Sequence, residues 1–331
     1  MKSKLKIIAI FLLLVTLPLS ARRRVRKPTL SSKVEISCPE QIKIEFESAP
    51  ILMSVSGLEY DMEARLRSYV AYLAGVECEG RGIGTRGAAA AAFYISSFFK
   101  NAQLDVHYNT FDVSGKVGRN ILGIKTFPGA TKYVVVMASY DGLGVLGGSL
   151  YPCADANASG VAALLELVND VHIPMGRPKN FIYVAIDGHH SAMSGGEALV
   201  KYLKSKGISR SSIAMVINLD TIGSTLVPPR GAGKDYLMAL GGKSMSYSMN
   251  LSNAGIGLNL SYDYYGSENF TELFYRRVSE QKHFLEMKVP CVMFTSGITD
   301  HTFKTSDTAQ TLDYPVFARR VEFIRRWMRR F

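Results

Sequence analysis

Four short runs constrain this 331-residue chain more than anything else in it: Tyr133–Ala138, Phe181–Ile186, Ile213–Leu219 and Cys291–Thr295. Each is apolar at nearly every position instead of at alternate ones, so a strand built from it has no face that tolerates water. Such strands are stable only under helices on both sides. The runs therefore predict an α/β fold, a doubly wound, mostly parallel central sheet with helices on both faces.

The intervening segments supply those helices. Met62, Leu66, Val70 and Leu73 fall at spacings of three and four, which predicts an amphipathic helix over 61–76. Further helices are expected over 87–101, 157–170, 195–206, 267–278 and 315–330, with strands near Leu104–Tyr108 and Asn120–Ile124. Residues 224–264 are less regular, and no internal repeat or low-complexity segment is present. With 47% apolar residues the chain can bury a large core, as one large domain or two small ones, which excludes disordered and fibrous classes.

Lys2, Lys4 and Lys6 precede an apolar run from Ile7 to Val15 that continues to Leu19, Ser20 and Ala21. That order is the pattern of an export signal, and it is short for a membrane span. Cleavage after Ala21 sets bulky Leu19 where a small residue is preferred, so residues 1–21 are read as a signal peptide or a retained N-terminal anchor. The domain is accordingly expected to be exported: periplasmic, secreted or anchored at the cell envelope. Residues 22–56 form a basic, poorly patterned segment that opens with Arg22, Arg23, Arg24, Arg26 and Lys27.

The formal charge is +11, and +8 without the three lysines of residues 1–21. Much of the excess lies in residues 22–27 and in Arg319, Arg320, Arg325, Arg326, Arg329 and Arg330 of the last helix. A solvated helix face and a flexible tail account for it, so no nucleic-acid partner is expected, while the basic N-terminal segment leaves contact with a membrane surface open. Four cysteines, Cys38, Cys78, Cys153 and Cys291, permit up to two disulfides of undetermined pairing in an exported chain, and their spacing matches no zinc knot. Gly82, Gly84 and Gly87 spell G-x-G-x-x-G, but a helix precedes them where a dinucleotide site needs a strand, so a tight turn is the better reading.

In an open α/β sheet, ligands bind beyond the carboxyl ends of the central strands. Ser139, Tyr140 and Asp141 follow the first run, Asp187, His189 and His190 the second, Asp220 the third, and Asp300 and His301 the fourth. Asp155 stands at a helix entry in Cys-Ala-Asp-Ala-Asn-Ala-Ser-Gly. An aspartate at one such place ordinarily caps a helix or turn. Carboxylates and imidazoles at four strand ends together make a ligand set suited to zinc or a related divalent ion. A Ser-His-Asp arrangement drawn from Ser139 or Ser191 with His189 and Asp187 is disfavoured, because the chain has no G-x-S-x-G elbow.

Over 57–331 the sequence resembles the co-catalytic zinc aminopeptidase family, which also includes glutaminyl cyclases, glutamate carboxypeptidase and the non-catalytic ectodomain of transferrin receptor. The residues that carry the resemblance occur in order: Glu79-Gly80-Arg81 with Gly84-Thr85; Ala154 through Gly160 with Ala163-Leu164-Leu165-Glu166-Leu167; Asn218-Leu219-Asp220 with Ile222-Gly223; Val289-Pro290; His301-Thr302; and Asp307-Thr308. The resemblance implies that Asp155 bridges two metals, with Asp220 on one and His301 on the other. Three positions depart from it. Ser139 stands where a ligand histidine belongs, His189 at the general-base glutamate and His190 at a ligand glutamate.

Those departures alter the expected chemistry. The neutral Ser139 hydroxyl is a poor zinc ligand, which leaves the first metal to Asp155 and Asp220 alone. Asp155, His190 and His301 still make a three-ligand set with an open position, so one Zn2+ is expected, as in the glutaminyl cyclases, with Asp220 as an outer or weak ligand and His189 as candidate general base. The implied activity is that of an exopeptidase-type, aminopeptidase-like amide hydrolase acting on a peptide or small amide. An inactive relative serving as a binding module at the cell envelope is the alternative, and a glutaminyl cyclase-like transferase the second. Substrate choice is assigned to 224–288, where Tyr247, Tyr262, Tyr264, Tyr265 and Phe270 fit an aromatic pocket and ordinary packing equally. Ser139, Asp141 and His283 are weaker substrate-binding candidates; His283 lies in a stretch, Ser279 to Phe284, that resembles the family's Ser-Asp-His motif.

Overall fold

The computed structural model describes residues 61–169 and 178–330. Helices α1 (Met62–Leu73) and α2 (Arg86–Asn101) lead into strands β1 (Asp105–Val113), β2 (Lys116–Lys125) and β3 (Tyr133–Ser139). A small hairpin, β4 (Gly144–Leu146) and β5 (Ser149–Tyr151), precedes α3 (Ser159–Val168), β6 (Asn180–Ile186), α4 (Ser194–Ser205) and β7 (Ile213–Leu219). The remainder is β8 (Tyr236–Leu240), α5 (Ser246–Asn253), β9 (Asn259–Ser261), α6 (Glu268–Arg276), α7 (Gln281–Glu286), β10 (Cys291–Thr295) and α8 (Tyr314–Met328).

The four apolar runs are β3, β6, β7 and β10. They lie side by side and parallel in the order β6-β3-β7-β10, at the centre of an eight-stranded sheet ordered β1-β2-β6-β3-β7-β10-β8-β9. Every residue of β6 and of β10 is buried, as strands covered on both faces must be. Strands β1 and β2 extend one side antiparallel, and β8 pairs antiparallel with β10 on the other. Val134, Val136 and Ala138 of β3 join the main core with α1, α2, α3 and α8, while Val135 and Met137, equally buried, point to the opposite face. The helices accordingly sort into two packed groups, one built on α1, α3 and α8 and the other on α4, α6 and α7.

Strand β8 corrects the reading of 224–264. Its five residues are all buried and too few to show a period, and the stretch around it is irregular. A second correction concerns the last helix. Arg320 is fully buried, not part of a solvated face: its Nε donates to Tyr236 O at 2.8 Å and its Nη1 to Ile222 O and Ser224 O at 2.9 and 2.8 Å. Arg326 pairs with Glu322 at 2.7 Å, and Arg319 and Arg325 pair with Asp235 and Glu322, so the helix is less cationic than its arginine count suggests.

Cys78, Cys153 and Cys291 are buried free thiols, and no disulfide joins any of the described residues. Cys38, the export signal and the basic segment 22–56 lie outside those residues. The glycine run behaves as a turn: Gly84 has φ of +73°, and a Cβ on Gly87 would meet Cys78 O at 2.1 Å, so α2 starts in direct backbone contact with the segment before it. No helix among the described residues is long and apolar enough to cross a membrane.

Candidate metal and catalytic centre

Because β6, β3, β7 and β10 are neighbours, their carboxyl ends form one continuous edge, which brings Ser139, Asp141, Asp187, His189, His190, Asp220 and the loop bearing His301 to the same side of the sheet. Asp155 reaches that edge on the wide turn Ala154–Ala158 that opens α3. Its backbone is fixed by Asp307, whose two carboxylate oxygens accept the N–H groups of Asp155 and Ala156 at 2.8 and 3.1 Å. Asn157 ties the ends of β3 and β7 to this turn by donating to Ser139 O at 3.2 Å and Leu219 O at 3.0 Å.

Gly223 N–H donates to Asp155 Oδ1 at 2.8 Å. Oδ2 is buried and has no protein partner. Burial first, then the charge of Asp307, push the Asp155 carboxyl up to about 7.

The paired histidines are held by Asp141, which is 1% exposed. Its Oδ1 accepts His189 N–H at 3.0 Å, and its Oδ2 accepts His190 N–H at 3.1 Å and lies 3.2 Å from His190 Nδ1. Burial opposes ionisation of Asp141, but the His190 hydrogen bond and the charges of both rings hold it below its ordinary value. With both oxygens engaged, Asp141 orients the histidines and offers little to a substrate. With His190 Nδ1 directed at this carboxylate, Nε2 is the ring nitrogen left for another group, and that atom is buried without a partner.

His189 turns elsewhere. Its Nδ1 lies 3.0 Å from both oxygens of Glu280, whose side chain is 2% exposed. Burial alone would lower the ring, but the charge and hydrogen bond of Glu280, with Asp220 and Asp141 behind, outweigh it and push His189 up to about 10. Asp187, the acid of the Ser-His-Asp alternative, accepts Arg119 N–H at 2.9 Å and Gly188 N–H at 2.8 Å instead of approaching that ring.

The other candidates sit less centrally. Asp220 Oδ2 accepts Ser279 Oγ–H at 3.1 Å, and His301 Nδ1 lies 2.9 Å from Ser306 Oγ. Phe303, two residues on from His301, packs edge-on against the His190 ring at 5.7 Å, so the His301 loop borders His190. The Ser139 hydroxyl is 3.3 Å from Asn157 Nδ2. His283 faces α4 through Met193 O at 3.2 Å. Of the aromatic candidates, Tyr264 stacks on Phe274 at 4.1 Å and Tyr265 donates to Val227 O at 2.7 Å, which is packing, whereas Tyr247 is 76% exposed.

Asp155 Oδ2 and His190 Nε2 are buried polar atoms that lack protein partners, and a carboxylate oxygen and an imidazole nitrogen are donor types suited to a divalent ion. Among the described residues no three His, Cys, Asp or Glu side chains converge into a finished metal-holding group. Sequence reasoning missed Glu280, whose partner is 91 positions away, although it directly follows Ser279 where the Ser-Asp-His motif has its acid.

A mixed, mostly parallel sheet with helices around it is the fold this chain shares with zinc aminopeptidases. The chain belongs to peptidase family M28, whose family model matches residues 120–328. In fold it is similar to BSAP, a zinc aminopeptidase from Bacillus subtilis, at TM-score 0.65 and 12% identity over 80% of this chain and 94% of that one. It is also similar to the glutaminyl cyclase of Fimbriiglobus ruber, at TM-score 0.66 and 15% identity over 81% and 95% of the two chains. The glutaminyl cyclase of Porphyromonas gingivalis matches at TM-score 0.60 and 16% identity over 80% and 97%. No curated protein matches the sequence.

Proposed function

We propose that this member of family M28 is an exopeptidase-type amide hydrolase that uses a single zinc ion and acts on a peptide or small amide. One observation carries the reading: Asp155 Oδ2 and His190 Nε2, on the same edge of the sheet, are buried without protein partners, and a bound cation would satisfy such donors. A zinc ion held there supplies Lewis acidity toward the scissile carbonyl and water. His301, on the loop beside His190, is the third ligand of the set, and Asp220 flanks it as an outer carboxylate.

The chain's own residues prepare that chemistry. Asp307 and Gly223 aim the Asp155 carboxylate, and Asp141 holds the His190 tautomer that leaves Nε2 free to ligate. His189 is the proton carrier. The Glu280 carboxylate at its Nδ1 favours the protonated ring, so His189 is placed to donate to the leaving amine or carbonyl oxygen, and serves as a base only after giving that proton up. The domain works outside the cytoplasm, on the strength of the export signal or anchor in residues 1–21.

The test is metal content. Protein purified without chelators is expected to carry about one zinc per chain, lost in His190→Ala and Asp155→Ala. A chain that takes up no divalent ion at any concentration tried sinks the proposal. A binding module without catalysis is then the reading to adopt. Peptides with N-terminal glutamine among the test substrates separate hydrolysis from cyclisation.

A further inference from the structure

Glu280 is brought to the strand edge from outside the four central strands. It directly precedes α7 and is 1% exposed. The residues on either side dock against the end of β7: Asn218 Nδ2 donates to Ser279 Oγ and to Gln281 Oε1, each at 2.7 Å, and Gln281 Nε2 donates to Tyr275 O at 2.8 Å. Two residues further, the His283 ring meets Met193 O at 3.2 Å, which pins α7 to the start of α4. The carboxylate between these anchors has little freedom, and both of its oxygens lie 3.0 Å from His189 Nδ1.

The imidazole is fixed at two points as well. Asp141 holds the His189 backbone N–H at 3.0 Å, and Glu280 holds the ring. A ring nitrogen that donates to a carboxylate must carry the hydrogen, so the other nitrogen is the one left to exchange protons with a reactant.

We infer that Glu280 is a positioning residue for His189: its carboxylate takes the Nδ1–H and fixes the ring plane at the strand edge. The effect on catalysis rests on the proposed hydrolase reading, while the orienting hydrogen bond stands apart from it. The sequence motif assigned this stretch to His283, and the geometry assigns its chemistry to Glu280.

The experiment uses the full-length protein with 15N-labelled histidine; only six histidines are present, and His189→Gln identifies the signals of interest. Wild type is expected to show His189 Nδ1 protonated and hydrogen-bonded. Glu280→Leu is expected to lose that signature, and Glu280→Asp to restore part of it, with Glu280→Gln as the variant of equal size should the leucine protein fold poorly. On an amide substrate that wild type cleaves, Glu280→Leu is expected to lower kcat by about 10- to 100-fold with KM within about twofold. The inference is overturned if His189 Nδ1 is unprotonated in wild type, or if its signals are unchanged in Glu280→Leu. Loss of folding stability with unchanged kcat also overturns it. If wild type cleaves nothing, the hydrolase reading fails alone, and the ring signals still decide whether Glu280 orients His189.

Discussion

Gly223 and Asp155 are in contact at both the backbone and the space above it: the glycine N–H donates to Asp155 Oδ1 at 2.8 Å, and a Cβ on Gly223 would lie 3.1 Å from that oxygen and 2.6 Å from Leu312 Cδ2. Gly223→Ala therefore forces either Leu312 or the carboxylate to move. It is expected to cost about 1–3 kcal/mol of stability and to reduce bound zinc. Thermal melting with parallel metal analysis reads both effects, and wild-type zinc content in the alanine variant would show that Gly223 does not aim the carboxylate.

Arg320 supports the same loop from behind. Its guanidinium satisfies the carbonyls of Ile222 and Ser224, on either side of Gly223, and that of Tyr236 in β8. Arg320→Met strands three buried acceptors. At about 1–3 kcal/mol for each unmet group, a loss of about 3 kcal/mol or more is expected, and Arg320→Lys recovers only part of it because one ammonium cannot span all three. Urea unfolding should show a lower midpoint with the slope unchanged.

What the sequence revealed and what it hid follow from the range of the interactions. The strands β3, β6, β7 and β10 were legible because a run buried on both faces is a local signal; their carboxyl ends point to Asp141, His190 and Asp220 as candidates without any contact being known, and the motif at the entry to α3 adds Asp155. Glu280 was hidden because its role depends on where α7 docks. Arg320 was hidden by its company among five other arginines, although one clue was present. It sits with Phe317, Val321 and Ile324 at helical spacing, so it lies within the buried stripe of α8, where an arginine must have partners.

The turn before α2 gives a sharper contrast between glycines. A Cβ on Gly87 would fall 2.1 Å from Cys78 O and 2.5 Å from Cys78 C, both main-chain atoms that no side-chain rotation can clear. Gly115, in the β1–β2 turn, has φ of +81° and open space around it. Gly87→Ala is expected to cost more than about 3 kcal/mol, since the helix start must part from the segment beneath it. Gly115→Ala should cost only about 1 kcal/mol, from backbone strain alone. Comparing their denaturation midpoints tests the assignment of Gly87 to packing; equal losses would refute it.

The buried thiols should be inert in the folded protein. Burial pushes Cys78 up to about 11, against a smaller opposing effect of Arg81, and pushes Cys291 up to about 12; Cys153 is raised by the same cause. Raising a thiol keeps it protonated, and only the thiolate attacks. At pH 8 roughly one part in a thousand of a thiol at 11 is ionised, and burial blocks access as well. In a Cys38→Ser variant, Ellman's reagent is expected to find no fast-reacting thiol at pH 8 in the native protein and three after denaturation. Rapid labelling of any one of the three in native buffer, located by mass spectrometry, would show that its strand or turn opens far more readily than its packing implies.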